Sequence, residues 1–186
     1  MNPRVEVRSP HDPAAVAARL ADTSAVLAGS ADDAALYASV QGAVEALVGF
    51  RLLTILRTTP AGDGLERMHS SDPVAYPAGG VKPVGADAWL RHLLTATAPQ
   101  LSPDAAAVRR NFFDADAIFA LGCQSALNLP IRFRGRNLGT LNLLHRADWY
   151  RPSDGATCHC FANLIGAAWA AGPPAATRSA PTPQPL

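Results

Sequence analysis

Residues 125–145 constrain the fold more than any other stretch of this chain. Ser125-Ala-Leu-Asn-Leu-Pro-Ile-Arg-Phe133 and Leu138-Gly-Thr-Leu-Asn-Leu-Leu-His145 are aliphatic runs of strand composition, and Arg134-Gly135-Arg136-Asn137 between them reads as a turn. Two runs joined by so short a connection pair antiparallel. Pairing Phe133 with Leu138 places Leu129, Ile131, Thr140, Asn142 and Leu144 on one face and Asn128 on the other. In that register only one of the two asparagines faces a given side of the sheet, unless a bulge intervenes. Pro152 and Ser153 then open a helix in which Phe161, Leu164, Ile165, Ala168 and Trp169 recur at helical spacing, an apolar stripe suited to closing a core over the hairpin.

The same pairing of helix and hairpin occurs earlier. Leu36, Val40, Val44, Leu47 and Val48 mark an amphipathic helix over 30–48, with Ser30 or Asp32 able to cap it. After Gly49, residues 50–57 are dense in Leu, Ile and Thr, as in a central strand covered on both faces. Pro60, Gly62, Asp63 and Gly64 punctuate the chain before 65–71, which pairs back as a hairpin. Residues 72–85 form an irregular, Pro- and Gly-rich connection with a short strand at 81–83. Short helices are expected over 88–94, 104–111 and 116–120, the first two joined by Pro99 to Pro103. No internal repeat is evident. The order is helix, hairpin, irregular middle, hairpin, helix, an α+β arrangement in which both long helices can share one sheet face.

Outside this unit, Asp12 and Pro13 start an alanine-rich helix with Val16, Leu20 and Leu27. It packs either on the domain or on a second copy. The expected organisation is therefore an N-terminal helical extension over 1–30, a domain over 31–171, and a disordered tail over 172–186, whose five prolines and few large apolar side chains cannot repay their ordering entropy.

The totals exclude several classes of protein. Formal charge is +1 with 17% charged residues, scattered without a basic stripe, which argues against a nucleic-acid partner. No apolar run approaches the ~20 residues that span a bilayer, and the N-terminus lacks a signal-peptide core, so no membrane partner and a cytoplasmic location are expected. Three cysteines, Cys123, Cys158 and Cys160, are too few and too odd in number for a disulfide framework and are expected to be reduced.

Cys123-Gln-Ser-Ala-Leu-Asn-Leu-Pro-Ile131, then Gly135, then Leu138-Gly-Thr-Leu-Asn-Leu143 resembles the C-terminal hairpin of GAF domains, and Tyr150-Arg-Pro-Ser-Asp154 resembles that family's entry to its last helix. With the earlier helix and strand, the resemblance spans about residues 33–170. It implies an antiparallel sheet of about six strands, with the long N- and C-terminal helices on one face and loops and short helices covering a pocket on the other. It also implies a small-molecule ligand, such as a cyclic nucleotide, chromophore, haem or metabolite, and a homodimer formed through the terminal helices. This chain resembles the small stand-alone members, in which Ser70-Ser71-Asp72-Pro73 and the loop from Ala75 to Lys82 would cover the pocket. Fold alone does not name the ligand.

Six residues are the ligand-binding candidates: Tyr76, Lys82, Trp89, Cys123, Ser125 and Asn142. Tyr76 and Lys82 offer a phenol donor and a mobile ammonium, or else fill a gap and sit exposed. Trp89 either walls the pocket or anchors its short helix. Asn142, an amide in an apolar strand, needs a partner from a ligand or from a neighbouring loop. Cys123 is either a nucleophile or a small hydrophobe. Cys158-His159-Cys160 cannot converge on one metal ion from successive helix positions, so no metal site is expected, and the pair lies after the final hairpin, unlike the Cys-His of bilin-binding GAF domains. His69, His92 and His145 share no motif spacing, and no catalytic or cofactor motif appears. The leading expectation is a sensory or regulatory ligand-binding module. Its rivals are a small catabolic enzyme using Cys123, Lys82 or His145, and a protein-interaction module with a vestigial pocket.

Overall fold

The computed structural model describes residues 11–29, 32–85 and 87–172; the N-terminal ten residues and the Pro-rich tail beyond 172 lie outside them. The elements run α1 (Pro13–Gly29), α2 (Asp33–Leu47), β1 (Leu52–Thr58), β2 (Gly64–Ser70), β3 (Val81–Pro83), α3 (Ala88–Thr95), β4 (Gln100–Ser102), α4 (Ala105–Asn111), α5 (Ala115–Ala120), β5 (Ser125–Phe133), β6 (Arg136–His145) and α6 (Pro152–Ala171). The strands form one six-stranded sheet, ordered β3-β2-β1-β6-β5-β4, with antiparallel neighbours throughout. The first hairpin therefore docks against the second through β1 and β6.

Helices begin where the sequence supplies caps. Asp32 accepts from Ala34 N at 2.9 Å, Asp87 from Leu90 N at 3.0 Å and Asp104 from Ala107 N at 2.8 Å, each satisfying an orphan amide of its first turn. Pro152 occupies the first turn of α6, and the fully buried Asp154 carboxylate accepts from Arg151 N at 2.9 Å and contacts His11 Nε2 at 2.7 Å. His11 thus ties the start of α1 to the start of α6.

Along α2 and α6 the apolar stripes turn to the same sheet face. Val40, Val44, Phe161 and Ile165 meet Leu53, Ile55, Leu127, Leu129, Ile131, Leu141 and Leu143 in one core. Each such side chain, fully buried, contributes about 1.5–3 kcal/mol. Trp169 Nε1 donates to Tyr37 Oη at 2.7 Å, so the polar atoms of this layer pair with each other. α1 lies outside α2 with Leu20 and Leu27 half-buried against the core, and Ser39 donates to the buried Thr23 hydroxyl at 3.1 Å. Among the described residues no helix is long and apolar enough to cross a membrane.

The register of β5 against β6 departs from the sequence expectation. The turn takes only Arg134 and Gly135, at φ +47° and +83°, so β6 starts at Arg136. Phe133 pairs with Arg136, Arg132 with Asn137 and Ile131 with Gly139, leaving Leu138 opposite no residue. This bulge flips one strand relative to the other. Asn128 stands directly across from Asn142, and Leu129 and Ile131 join Leu141 and Leu143 on the helix face, opposite Thr140, Asn142 and Leu144. The link at 99–103, to which the sequence reading assigns no strand, contains one: β4 is too short to show alternation, yet it pairs with Ala126–Asn128 of β5.

Gly139 marks the tightest contact in the sheet. A Cβ there would overlap the Leu56 carbonyl oxygen and come within 2.8 Å of the Trp169 ring. Gly139→Ala is expected to lower the free energy of unfolding by about 3 kcal/mol, the upper end of overpacking costs, as read from a urea melt followed by circular dichroism; an unchanged midpoint would contradict this packing.

Candidate functional site

The face of the sheet away from the long helices carries a different set of side chains. Leu52, Thr54 and Leu56 of β1, Thr140, Asn142 and Leu144 of β6, and Asn128 of β5 point to this side, since alternation sends their neighbours into the core. Asn142 Nδ2 donates to Thr54 Oγ1 at 3.2 Å and Asn128 Nδ2 to Asn142 Oδ1 at 2.8 Å. A polar ladder thus crosses three adjacent strands. Its last acceptor, Asn128 Oδ1, is buried with no partner.

Above this floor lies a cavity of about 50 Å³, walled by Trp89, Leu90 and Leu93 of α3, by Phe112, Phe113 and Asp114, by Ile118 of α5, and by Leu65, Arg67, Tyr76 and Lys82 of the β2–β3 region. It has space for at least about three or four water molecules.

Its roof is held by charge. Arg67 Nη1 donates to the Pro77 carbonyl at 2.9 Å, and the guanidinium lies over the Tyr76 ring at 5.1 Å. Lys82 Nζ bonds Asp114 Oδ2 at 3.1 Å and sits 4.9 Å from the centre of the Phe113 ring, which is otherwise 74% exposed. Asp114 occupies the N-cap position of α5 but makes no cap hydrogen bond. Its carboxylate serves the cavity.

Burial acts on the ionisable groups here. It pushes the Tyr76 phenol up to about 12, with nearby Asp114 adding to the rise and Arg67 opposing it. It lowers the Arg67 guanidinium, against the upward pull of Tyr76 and Asp114. Five buried polar atoms around this cavity lie outside hydrogen-bond geometry: Arg67 Nε, Tyr76 Oη, Trp89 Nε1, Asp114 Oδ1 and Asn128 Oδ1, although the Tyr76 hydroxyl is near enough to the Asp114 carboxylate for that group to raise the phenol as a hydrogen-bond acceptor.

Of the six sequence candidates, Tyr76, Lys82, Trp89 and Asn142 come together around the cavity. Cys123 and Ser125 do not line it. Cys123 packs among Val108, Ala115, Ile118 and Ala126, and burial raises its thiol to about 11, against a small opposing pull from Arg51, the reverse of what a nucleophile requires. Ser125 donates to the Arg146 carbonyl at 2.7 Å and so fastens the start of β5 to the end of β6. His145 stacks on Trp149 with ring centres 3.9 Å apart and its Nδ1 accepts from Arg146 N, away from the cavity. Ser70 and Ser71 bond backbone groups of their own turn and of β1. Cys158 is buried, Cys160 is exposed and His159 Nε2 bonds the Pro130 carbonyl at 3.0 Å, so the three diverge.

Sequence reasoning missed Arg67, Asp114, Asn128 and the two threonines. Arg67 was traceable, because strand alternation puts it on the same face as the fully buried Leu65. Asp114 was not, since an aspartate before a short helix reads as a cap.

A six-stranded antiparallel sheet with long helices on one face and a cavity under short helices and a loop on the other is the GAF fold, and the chain has this fold. The GAF domain of a phosphoenolpyruvate-protein phosphotransferase from Coxiella burnetii superposes with a TM-score of 0.70 at 13% identity, covering 85% of this chain and 94% of that one. Free methionine-R-sulfoxide reductase from Neisseria meningitidis, solved with its substrate, gives 0.68 at 17% identity, over 89% and 95%. The chromophore-binding domain of Stigmatella aurantiaca bacteriophytochrome gives 0.64 at 15% identity; the match covers 84% of this chain but only 60% of that longer one. No protein-family model and no curated protein sequence matches the chain.

Two measurements follow from the burial of these groups. Ellman's reagent at pH 8 is expected to react quickly with one thiol, Cys160, and slowly with Cys123 and Cys158; fast reaction of Cys123 would contradict its packing. Tyr37 and Tyr76 are both raised to about 12, so the stability their neutral forms contribute is complete below pH 10 and is lost as pH climbs from about 10 toward 12. Tyr76→Phe should flatten that alkaline limb and, by removing a buried unpaired hydroxyl, leave neutral-pH stability unchanged or raise it by up to about 1 kcal/mol. A loss of several kcal/mol would mean that the hydroxyl has a partner.

Proposed function

We propose that this chain is a ligand-binding module of the sensory or regulatory kind, and that its ligand is a small polar molecule held in the cavity on the sheet face. The observation that carries the reading is the gathering of five unpaired polar atoms around one cavity. An unsatisfied buried donor or acceptor costs about 1–3 kcal/mol, so five together would cost an amount comparable to a domain's whole stability. Such a set persists where water or a ligand completes it. On the helix face Trp169 and Tyr37 pair with each other, and although Thr58 Oγ1 lies outside the cavity lining, the shortage is concentrated at the cavity.

Two of the similar structures are described as a chromophore-binding domain and as a substrate complex, which supports a small molecule as the occupant. The enzyme reading has less support, because Cys123 is buried in an apolar cluster and His145 stacks away from the cavity. Reduced cysteines fit a cytoplasmic setting, and the outer helix α1 offers a surface through which two copies could pair.

The test is native mass spectrometry of the protein purified gently from its own source, joined to a thermal-shift screen of small metabolites. An adduct that leaves on denaturation, or a reproducible rise in melting temperature, is expected. Asn128→Leu combined with Asn142→Leu should keep the sheet folded and weaken the responding ligand at least tenfold. A bare mass together with a silent screen would overturn the reading.

A further inference from the structure

The cavity's charges can be matched one by one. Its charged lining consists of Arg67, Lys82, Asp87 and Asp114. Lys82 is bridged to Asp114 at 3.1 Å, and Asp87 Oδ1 accepts from Leu90 N at 3.0 Å as the cap of α3. Arg67 is 8% exposed and has no carboxylate in ion-pair contact among the described residues. A guanidinium withdrawn from water without a counter-ion is costly, and the arrangement becomes favourable when an anion arrives.

We infer that the ligand is a small carboxylate bearing a hydrogen-bond donor at its other end, with the carboxylate seated on Arg67. This rests on the cavity being a ligand site, as proposed above. The Pro77 carbonyl takes Nη1, while Nε is unpaired. The Nε–Nη2 edge is therefore the one that a planar carboxylate can bridge with two parallel hydrogen bonds. Trp89 Nε1 and Tyr76 Oη supply further donors for its oxygens.

The remaining unmet atoms, Asp114 Oδ1 and Asn128 Oδ1, are acceptors and call for a hydroxyl or an ammonium on the ligand. Charge and size narrow the class further. Two cations and two carboxylates leave the lining neutral, and Arg67 alone lacks a partner, so a phosphate dianion would bring more charge than the site can neutralise. A cavity of about 50 Å³ admits at least the skeleton of a two-carbon acid.

The experiment titrates the isotope-labelled full chain with acetate, glycolate, glycine, acetamide and inorganic phosphate, following the Arg67 Nε–H and the Asn128 side-chain amide by NMR. Glycolate or glycine is expected to bind at least tenfold tighter than acetate, and acetate at least tenfold tighter than the isosteric but neutral acetamide. The better of glycolate and glycine names the donor. Arg67→Gln should erase the preference for acetate over acetamide; Arg67→Lys, which keeps the charge and loses the fork, should retain the preference with weaker binding. If Arg67→Gln does not fold, the ranking on the native chain decides alone.

Equal binding of acetate and acetamide, tighter binding of phosphate, or an Arg67 Nε–H that no probe moves would overturn the inference. A neutral compound recovered by native mass spectrometry and seated in the cavity would overturn the carboxylate while leaving the ligand site standing. Silence in both experiments would remove both.

Discussion

The approach of β6 to β1 at Gly139 governs which side chains this fold can place where. Only a residue without Cβ lets the Leu56 carbonyl and the Trp169 ring close on that point, and with them α6 seats on the sheet. Gly139 is also the last residue in register before the bulge at Leu138. Everything from there to His145 is therefore fixed in phase. Leu141 and Leu143 enter the core under α2 and α6, whereas Thr140, Asn142 and Leu144 face the cavity. A slip of one residue would exchange those sets, burying an amide among leucines and exposing leucines to the polar lining.

The two sides of the sheet meet the demands of burial differently. Under the long helices the few polar atoms are paired locally, and packing does the rest. On the cavity side the sheet supplies a ladder from Thr54 through Asn142 to Asn128 that ends on an open acceptor, and the roof supplies further open donors. Low polarity strengthens each hydrogen bond that is made and raises the cost of each one that is missing. The unmade hydrogen bonds are thus concentrated on the cavity side, where a molecule that completes them gains from contacts the protein has left open.

Much of the architecture was legible in the sequence because it rests on periodicity. The stripes of α2 and α6, the two hairpins and the short strand at 81–83 all follow from spacing and turn residues. The cavity was legible in part: Tyr76, Lys82, Trp89 and Asn142 stood out as polar or aromatic residues in apolar or irregular settings. The failures have physical causes. A bulge moves one residue without changing composition, so the pairing of Asn128 with Asn142 could not be read from alternation across an assumed turn. Cys123 and Ser125 lie next to the cavity in sequence, but the first turns into the apolar cluster behind α5, and the second spends its hydroxyl on the backbone of β6.

Arg67 shows how a charge inside a strand can be read. Leu65 and Arg67 share a face of β2, Leu65 is fully buried, and a guanidinium two residues along is carried into the same layer. Such a residue is either paired by the fold or held ready for something outside it. Here the fold engages one nitrogen with a backbone carbonyl and one face with the Tyr76 ring, both neutral groups, while the nearest carboxylate, Asp114, is taken up by Lys82. Neutral contacts position a charge without neutralising it. The strand thus delivers to the cavity a fixed, largely water-excluded cation that feels Asp114 at a distance but has no carboxylate in ion-pair contact among the described residues.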